Sequence, residues 1–203
     1  MGRMGMLMTG VVLGFVATGL IRYATLPPLS EVHYHANWAL FVDGERVDLS
    51  EDRFMEDVGA CLASAADMRP QDRVHMHEGV QDVVHVHAGG ATWGHLLANL
   101  GYAVGPEFLI EPDGRSHIES DAVKIHYIKN GQLLHDIANE PISSGDRLLI
   151  SVGPQTVDEA REDLLPQVAS NAEEYNSMAD PATCRGGHEP EGTMDRLRRA
   201  FLG

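Results

Sequence analysis

The chain has 203 residues, enough for one domain with a real core plus appendages. Thirty acidic against 15 basic residues give a formal net charge of −15 with histidine neutral, which argues against nucleic acid and anionic lipid surfaces as partners. A 43% hydrophobic content is ordinary for a globular protein and excludes a polytopic membrane protein.

The N-terminus departs from that average. Met4 to Ile21 carries no charge and lies between Arg3 and Arg22. About 18 such residues at 1.5 Å each just span a bilayer core. A cleaved signal peptide shares the positive start and apolar run. No small-x-small cleavage site follows, however, and Arg22-Tyr23 reads as an interfacial anchor. Residues 1–24 are therefore expected to form an uncleaved transmembrane signal-anchor helix. Gly10, Gly14 and Ala17 give it a small-residue stripe suited to packing against a second helix, and so to a protein partner in the membrane. One arginine at each end says little about orientation; the acidic domain is placed on the periplasmic or extracellular side. Thr25-Leu26-Pro27-Pro28-Leu29 makes residues 25–31 a stiff, extended linker.

An α+β domain is expected over 32–153. Val32 to Val42 alternates as a strand, Asp43-Gly44 signals a hairpin, and Arg46 to Leu49 is the returning arm. Ser50 can cap a short helix over Glu51 to Val58, and Gly59 to Gln71 reads as loop. Then comes Val74 to His87, V-H-M-H-E-G-V-Q-D-V-V-H-V-H. Successive strand side chains point to opposite faces, so His75/His77 share one face, as do His85/His87. Gly79 and Asp82 are turn formers, and a hairpin with His77 opposite His85 and His75 opposite His87 would gather four rings on one surface. Met76 and Val86 would face the core. A third pair, His33/His35, lies on the earlier strand and can occupy a neighbouring one.

Further along, Thr92 caps a helix from Trp93 to Leu100, with Trp93, Leu96, Leu97 and Leu100 on its buried face and Gly101 as its left-handed stop. His95 points off that face, as a solvated helix residue. Short strands follow at Phe108–Ile110, His117–Ser120 and Lys124–Ile128, then an Asn130-Gly131 turn, a partner strand from Leu133 to Ala138, and a last strand, Arg147–Val152. Beyond Pro154 the composition becomes acidic and helix-prone, so 154–203 is read as a helical and loop tail. It ends in a short basic amphipathic helix, Asp195–Leu202, that could dock on a partner or on the membrane surface. Cys61 and Cys184 could pair in an oxidising compartment.

With no cysteine near the histidines, the six imidazoles of His33, His35, His75, His77, His85 and His87 suit a borderline transition metal, Zn or Cu, rather than an oxygen-seeking ion. Glu78, Asp82, His117 and Glu119 are candidates to orient ligand rings; His126 and His135 are expected on sheet faces without a metal role. The closing run from Asn130 to Gly153 resembles the last strands of a β-grasp sheet. On His33-Tyr34-His35, His75-Met76-His77, Val84-His85-Val86-His87, Thr92-Trp93-Gly94 and Gly145 to Gly153, the chain resembles a poorly characterised family of bacterial and archaeal single-pass membrane proteins. The resemblance covers roughly Val32 to Gly153 and implies an exported, His-x-His-rich, β-grasp-like domain; at His87 that pattern would carry a carboxylate. Three functions fit: a membrane-anchored metal-binding domain that buffers, senses or delivers Zn or Cu; an accessory subunit whose histidines line an interface; and a metal-dependent enzyme with Glu78 as base. Clustered histidines responding to pH without metal are the main rival to a metal site.

Overall fold

A computed structural model describes residues 3–26, 31–55, 73–178 and 192–202. Cys61, Cys184 and the expected loop from Gly59 to Gln71 lie outside these residues, as do positions 56–58 of the expected Ser50-capped helix.

The fold is mixed α+β, built on a seven-stranded mixed sheet in the order β3-β4-β1-β10-β8-β9, with β2 hairpinned onto β1. The strands are β1 (Glu31–Val42), β2 (Glu45–Arg46), β3 (Val74–His75), β4 (Val83–Ala88), β8 (Lys124–Lys129), β9 (Gln132–Leu134) and β10 (Arg147–Gly153). A separate three-stranded sheet holds β5 (Ala103–Gly105), β6 (Phe108–Ile110) and β7 (Ser116–Ile118). The twelve-residue β1 sits inside the large sheet, parallel to β10 with Asn37 opposite Arg147 and antiparallel to β4 with His35 opposite His85.

Period-two alternation along β1 gives the sheet two different faces. Ala36, Trp38 and Leu40 enter the larger core with Val84, Val86, Ile150 and the helix α2 (Trp93–Asn99). As the pattern requires, Trp93, Leu96, Leu97 and Leu100 are all buried there, and Met76 faces this core, its sulfur accepting from Trp38 Nε1 at 3.3 Å. The opposite face carries His33, His35, Asn37, Ala39 and Phe41. Ala39, Phe41, Ile128 and Leu149 form a second core there with Ala160, Leu164 and Val168 of the C-terminal segment. That segment is α3 (Val157–Glu159), a wide π turn over Ala160–Leu164 and a 3₁₀ turn over Leu165–Gln167, where Pro166 cannot donate to an α-helical ladder. After it comes α4 (Ala172–Ser177).

Several local expectations need correction. Among the described residues no α-helix follows Ser50: Asp48 Oδ1 accepts its backbone N–H at 3.0 Å, making a turn, and a 3₁₀ turn, Asp52–Phe54, forms beyond. β2 stops at Arg46. β9 stops at Leu134, because the chain from Ile137 to Ile142 bonds instead to the start of α2, with Thr92 Oγ1 donating to Ala138 O and Ile142 N–H to Ala91 O. His135 therefore lies beyond the strand. β5 has no counterpart in the sequence reading, since Ala-Val-Gly is too short to show a period.

The hairpin register is also corrected. His75, and not His77, stands opposite His85. Glu78 and Gly79 adopt positive φ (57° and 72°) in a tight turn closed by Val80 N–H to His77 O at 3.1 Å. Residues 81–82 then leave the ladder. Gln81 Oε1 accepts from Leu49 N–H at 2.6 Å, and Asp82 O accepts from Trp38 N–H at 3.1 Å. The slip is two residues, so every histidine keeps its face; one residue would have turned them all over.

At the N-terminus, α1 (Arg3–Thr25) runs antiparallel to α5 (Thr193–Leu202). Phe201 packs on Phe15 with ring centroids 5.8 Å apart and lies over Gly19, Arg22 donates to Arg199 O, and Arg196 donates to Leu26 O while covering the Tyr23 ring. The small residue that receives a helix is thus Gly19, and the helix belongs to the same chain. Among the described residues no helix is long and apolar enough to cross a membrane; the side chains described in α1 begin at residue 10, inside the expected span.

Candidate metal centre

β4 runs between β1 and β3, and its His85 faces His35 on one neighbour and His75 on the other. Directly opposed residues bring Cβ atoms to about 4.5–5.5 Å, so the three rings form a row across three strands. Ring centroids lie 4.4 Å apart for His35–His85 and 5.7 Å for His75–His85. The other member of each His-x-His pair falls on the same face one step along. His87 stacks on His85 at 4.2 Å, His33 lies 4.3 Å from His85, and His77 4.8 Å from it. All six predicted ligands therefore meet, and His85 is their hub.

The nitrogens converge as well. His33 Nε2 touches His85 Nε2, His77 Nε2 lies 2.6 Å from His85 Nδ1, and His87 Nε2 lies 3.1 Å from His75 Nε2. Two sets of three, His33/His35/His85 and His75/His85/His87, each place one donor atom per residue within 4.8 Å of the others. Two ligands of one tetrahedral zinc with Zn–N of 2.0–2.1 Å stand ~3.3 Å apart, so either set needs only small side-chain movement to close on an ion.

The centre is buried. His35, His75 and His85 are 5%, 3% and 2% exposed, while His33, His77 and His87 are half-buried. Burial, and after it the neighbouring His87, His35, His33 and His77, push the pKa of His85 far below the ordinary imidazole value. The ring is neutral, the form that binds metal without first releasing a proton.

α4 covers one side of the cluster. Asn176 Oδ1 accepts from His35 N–H at 2.8 Å and lies 3.0 Å from His35 Nδ1, while its amide nitrogen donates to Ser144 Oγ. An amide oxygen only accepts, so Nδ1 of His35 carries the proton and Nε2 keeps the lone pair. The Tyr175 ring lies 5.7 Å from that of His35. Upstream, Asn37 Nδ2 donates to Asn171 Oδ1 and Asn37 Oδ1 accepts from Ala172 N–H, each at 2.9 Å, which fastens the start of α4 to β1. Sequence reasoning missed Asn176 and Tyr175. Their one signal was position: they stand one helical turn beyond Asn171, directly after Glu173-Glu174.

Of the residues expected to orient ligand rings, Glu78 alone comes near, its Oε2 3.6 Å from His77 Nδ1. The Asp82 carboxylate pairs with Arg46 at 3.0 Å. His117 Nε2 lies 2.6 Å from Glu111 Oε1 and so belongs to the small sheet; Glu119 follows it there, its N–H bonded to Glu107 O. His126 faces Gln155 O at 2.9 Å. His95 is not a solvated helix residue: its Nδ1 accepts Thr92 N–H at 3.2 Å and completes a capping box at the start of α2.

No family model, curated protein or solved structure matches this chain.

Proposed function

We propose that this protein is a membrane-anchored, extracytoplasmic metal-binding domain that buffers, senses or delivers Zn or Cu through its six-histidine cluster. The observation that carries the reading is the row His35–His85–His75 across three adjacent strands, with His33, His77 and His87 completing it from the same face. Each buried polar ring costs on the order of 1–3 kcal/mol relative to an apolar residue unless its nitrogens are engaged. The same face holds an apolar core only a few residues away, at Ala39 and Phe41, so hydrocarbon was available to the fold at these positions. Three imidazoles buried there against that cost, with three half-buried ones beside them, point to a shared ligand. Imidazole donors with no carboxylate in either set suit Zn or Cu.

Membrane anchoring rests on the uncharged run Met4–Ile21 within a single helix of 23 residues, ~34 Å long at 1.5 Å per residue. Val11, Val12, Leu13, Phe15, Val16, Leu20 and Ile21 of that helix are all exposed, a surface suited to lipid or to other membrane helices. The parallel pairing of β1 with β10 supports the β-grasp-like description of the sheet.

The test is elemental analysis of untagged full-length protein, extracted in mild detergent, beside a His75→Ala/His77→Ala variant. Close to stoichiometric Zn or Cu in the parent and a clear loss in the variant are expected; identical metal content in the two removes the reading.

A further inference from the structure

Six histidines exceed the four ligands that a tetrahedral ion takes, and their arrangement is not a single cage. Among the described residues the donor atoms fall into two sets of three within 4.8 Å, rather than one set of four or more, and His85 belongs to both. His33 and His35 come from β1, on one flank of β4, and His75 from β3, on the other, while His87 lies on β4 itself and stacks on His85. We propose that the cluster is a two-station site for a single transition-metal ion, with His85 always bound while His33/His35 and His75/His87 exchange as its other ligands.

This rests on the metal-binding reading above and deepens it toward delivery. Occupation by one ion follows from charge. Neither set includes a carboxylate, and the nearest one, Glu78, reaches only His77 from a side chain that is 60% exposed. Two neighbouring dications in this pocket of imidazoles would repel each other with no carboxylate between them. Exchange follows from coordination number. Three imidazoles leave a tetrahedral ion one open position, and a ring of the other set can enter it before a ring of the first set leaves. The ion thereby crosses the sheet face by ligand substitution, with no bare intermediate and no redox change. Each station also has one half-buried member, His33 in the first and His87 in the second, which gives the path two separate ends.

Co(II), whose visible absorption reports its ligand set, tests this on untagged full-length protein. One Co(II) per chain is expected. The His33→Ala/His35→Ala and His75→Ala/His87→Ala variants should each keep one ion, at least about tenfold more weakly, with two different spectra whose weighted sum reproduces that of the parent. His85→Ala should lose binding at both stations, and His85→Gln, closer in volume, carries the same test if the alanine disturbs the sheet. Two ions per chain, or loss of all binding in one double variant with none in the other, overturns the two-station site while leaving a metal centre in place. No binding by the parent protein removes the metal reading itself, and this proposal with it.

Discussion

The side-chain oxygen of Asn176 accepts the backbone N–H of His35 at 2.8 Å and meets its Nδ1 at 3.0 Å, so one amide from the C-terminal segment sets both the position and the tautomer of a β1 histidine. Ser144 Oγ accepts from the amide nitrogen and holds the orientation. Second partners of this kind are typically worth 10–100-fold in metal affinity. Asn176→Ala should therefore weaken Zn binding by about that factor, measured against a competing chelator. Asn176→Asp, which still accepts from Nδ1–H, should recover most of it. Equal affinity in Asn176→Ala and the parent would show that α4 covers the site without tuning it.

Gly94 explains the Thr92-Trp93-Gly94 sequence. A Cβ built there would lie 2.1 Å from the Ala138 carbonyl oxygen and 2.8 Å from its carbonyl carbon, and these are backbone atoms already tied to Thr92. Gly94→Ala must push two packed segments apart, at an expected cost of about 1–3 kcal/mol or more in urea unfolding. Gly79 offers the contrast. It has φ of 72° and nothing within 4 Å of its would-be Cβ, so Gly79→Ala carries only the left-handed backbone cost of about 1–2 kcal/mol. A Gly94→Ala protein as stable as the parent would contradict the close approach.

What the sequence made legible was whatever depends on local period. The faces of His33/His35, His75/His77 and His85/His87 follow from alternation alone, and so does the burial of Trp93, Leu96 and Leu97. The tight turns at Asp43-Gly44 and Asn130-Gly131 follow from residues that tolerate positive φ, here 53°/83° and 52°/81°. The register of β3 on β4 was not legible, because Gln81 and Asp82 are drawn to Leu49 and Trp38, partners more than thirty residues away in sequence. Nor was the part played by α4 at the site, since nothing in the spacing of Asn171, Tyr175 and Asn176 names the strand they cover. His95 was misread for a related reason: helical period shows which side a residue is on, and capping depends on the orientation of a ring nitrogen.

That ring nitrogen gives α2 a pH dependence. His95 Nδ1 accepts the Thr92 N–H, which only the neutral ring can do, and burial followed by the Arg73 guanidinium holds its pKa below the ordinary imidazole value. Unfolded, the ring titrates near ~6.5. Between the folded and unfolded values the unfolded chain binds more protons, so stability rises with pH through that window. The contribution is complete above ~6.5 and is lost as pH falls through the folded value. His95→Gln keeps an acceptor without a titrating group. Its unfolding free energy should fall less steeply than the parent's from about pH 7 to pH 5, and parallel curves for the two proteins would exclude the capping role.

The last helix depends on the first. α5 has ten residues, shorter than the ~12–15 that a helix needs to persist alone in water. Its contacts with α1 include Phe201, set against Phe15 and Gly19, Arg196, bonded to Leu26 O at 2.8 Å and lying over Tyr23, and Arg199 O, which accepts from Arg22. Leu202, next in sequence, is 77% exposed. Phe201→Ala removes the ring contact and should free α5, so that backbone amides from 194 to 202 exchange with deuterium at least about tenfold faster in detergent-solubilised protein. Leu202→Ala, on the exposed side, should leave their protection close to that of the parent. Equal protection in all three proteins would mean that α5 draws its stability from somewhere other than α1, and the antiparallel pair would lose its standing as a structural unit.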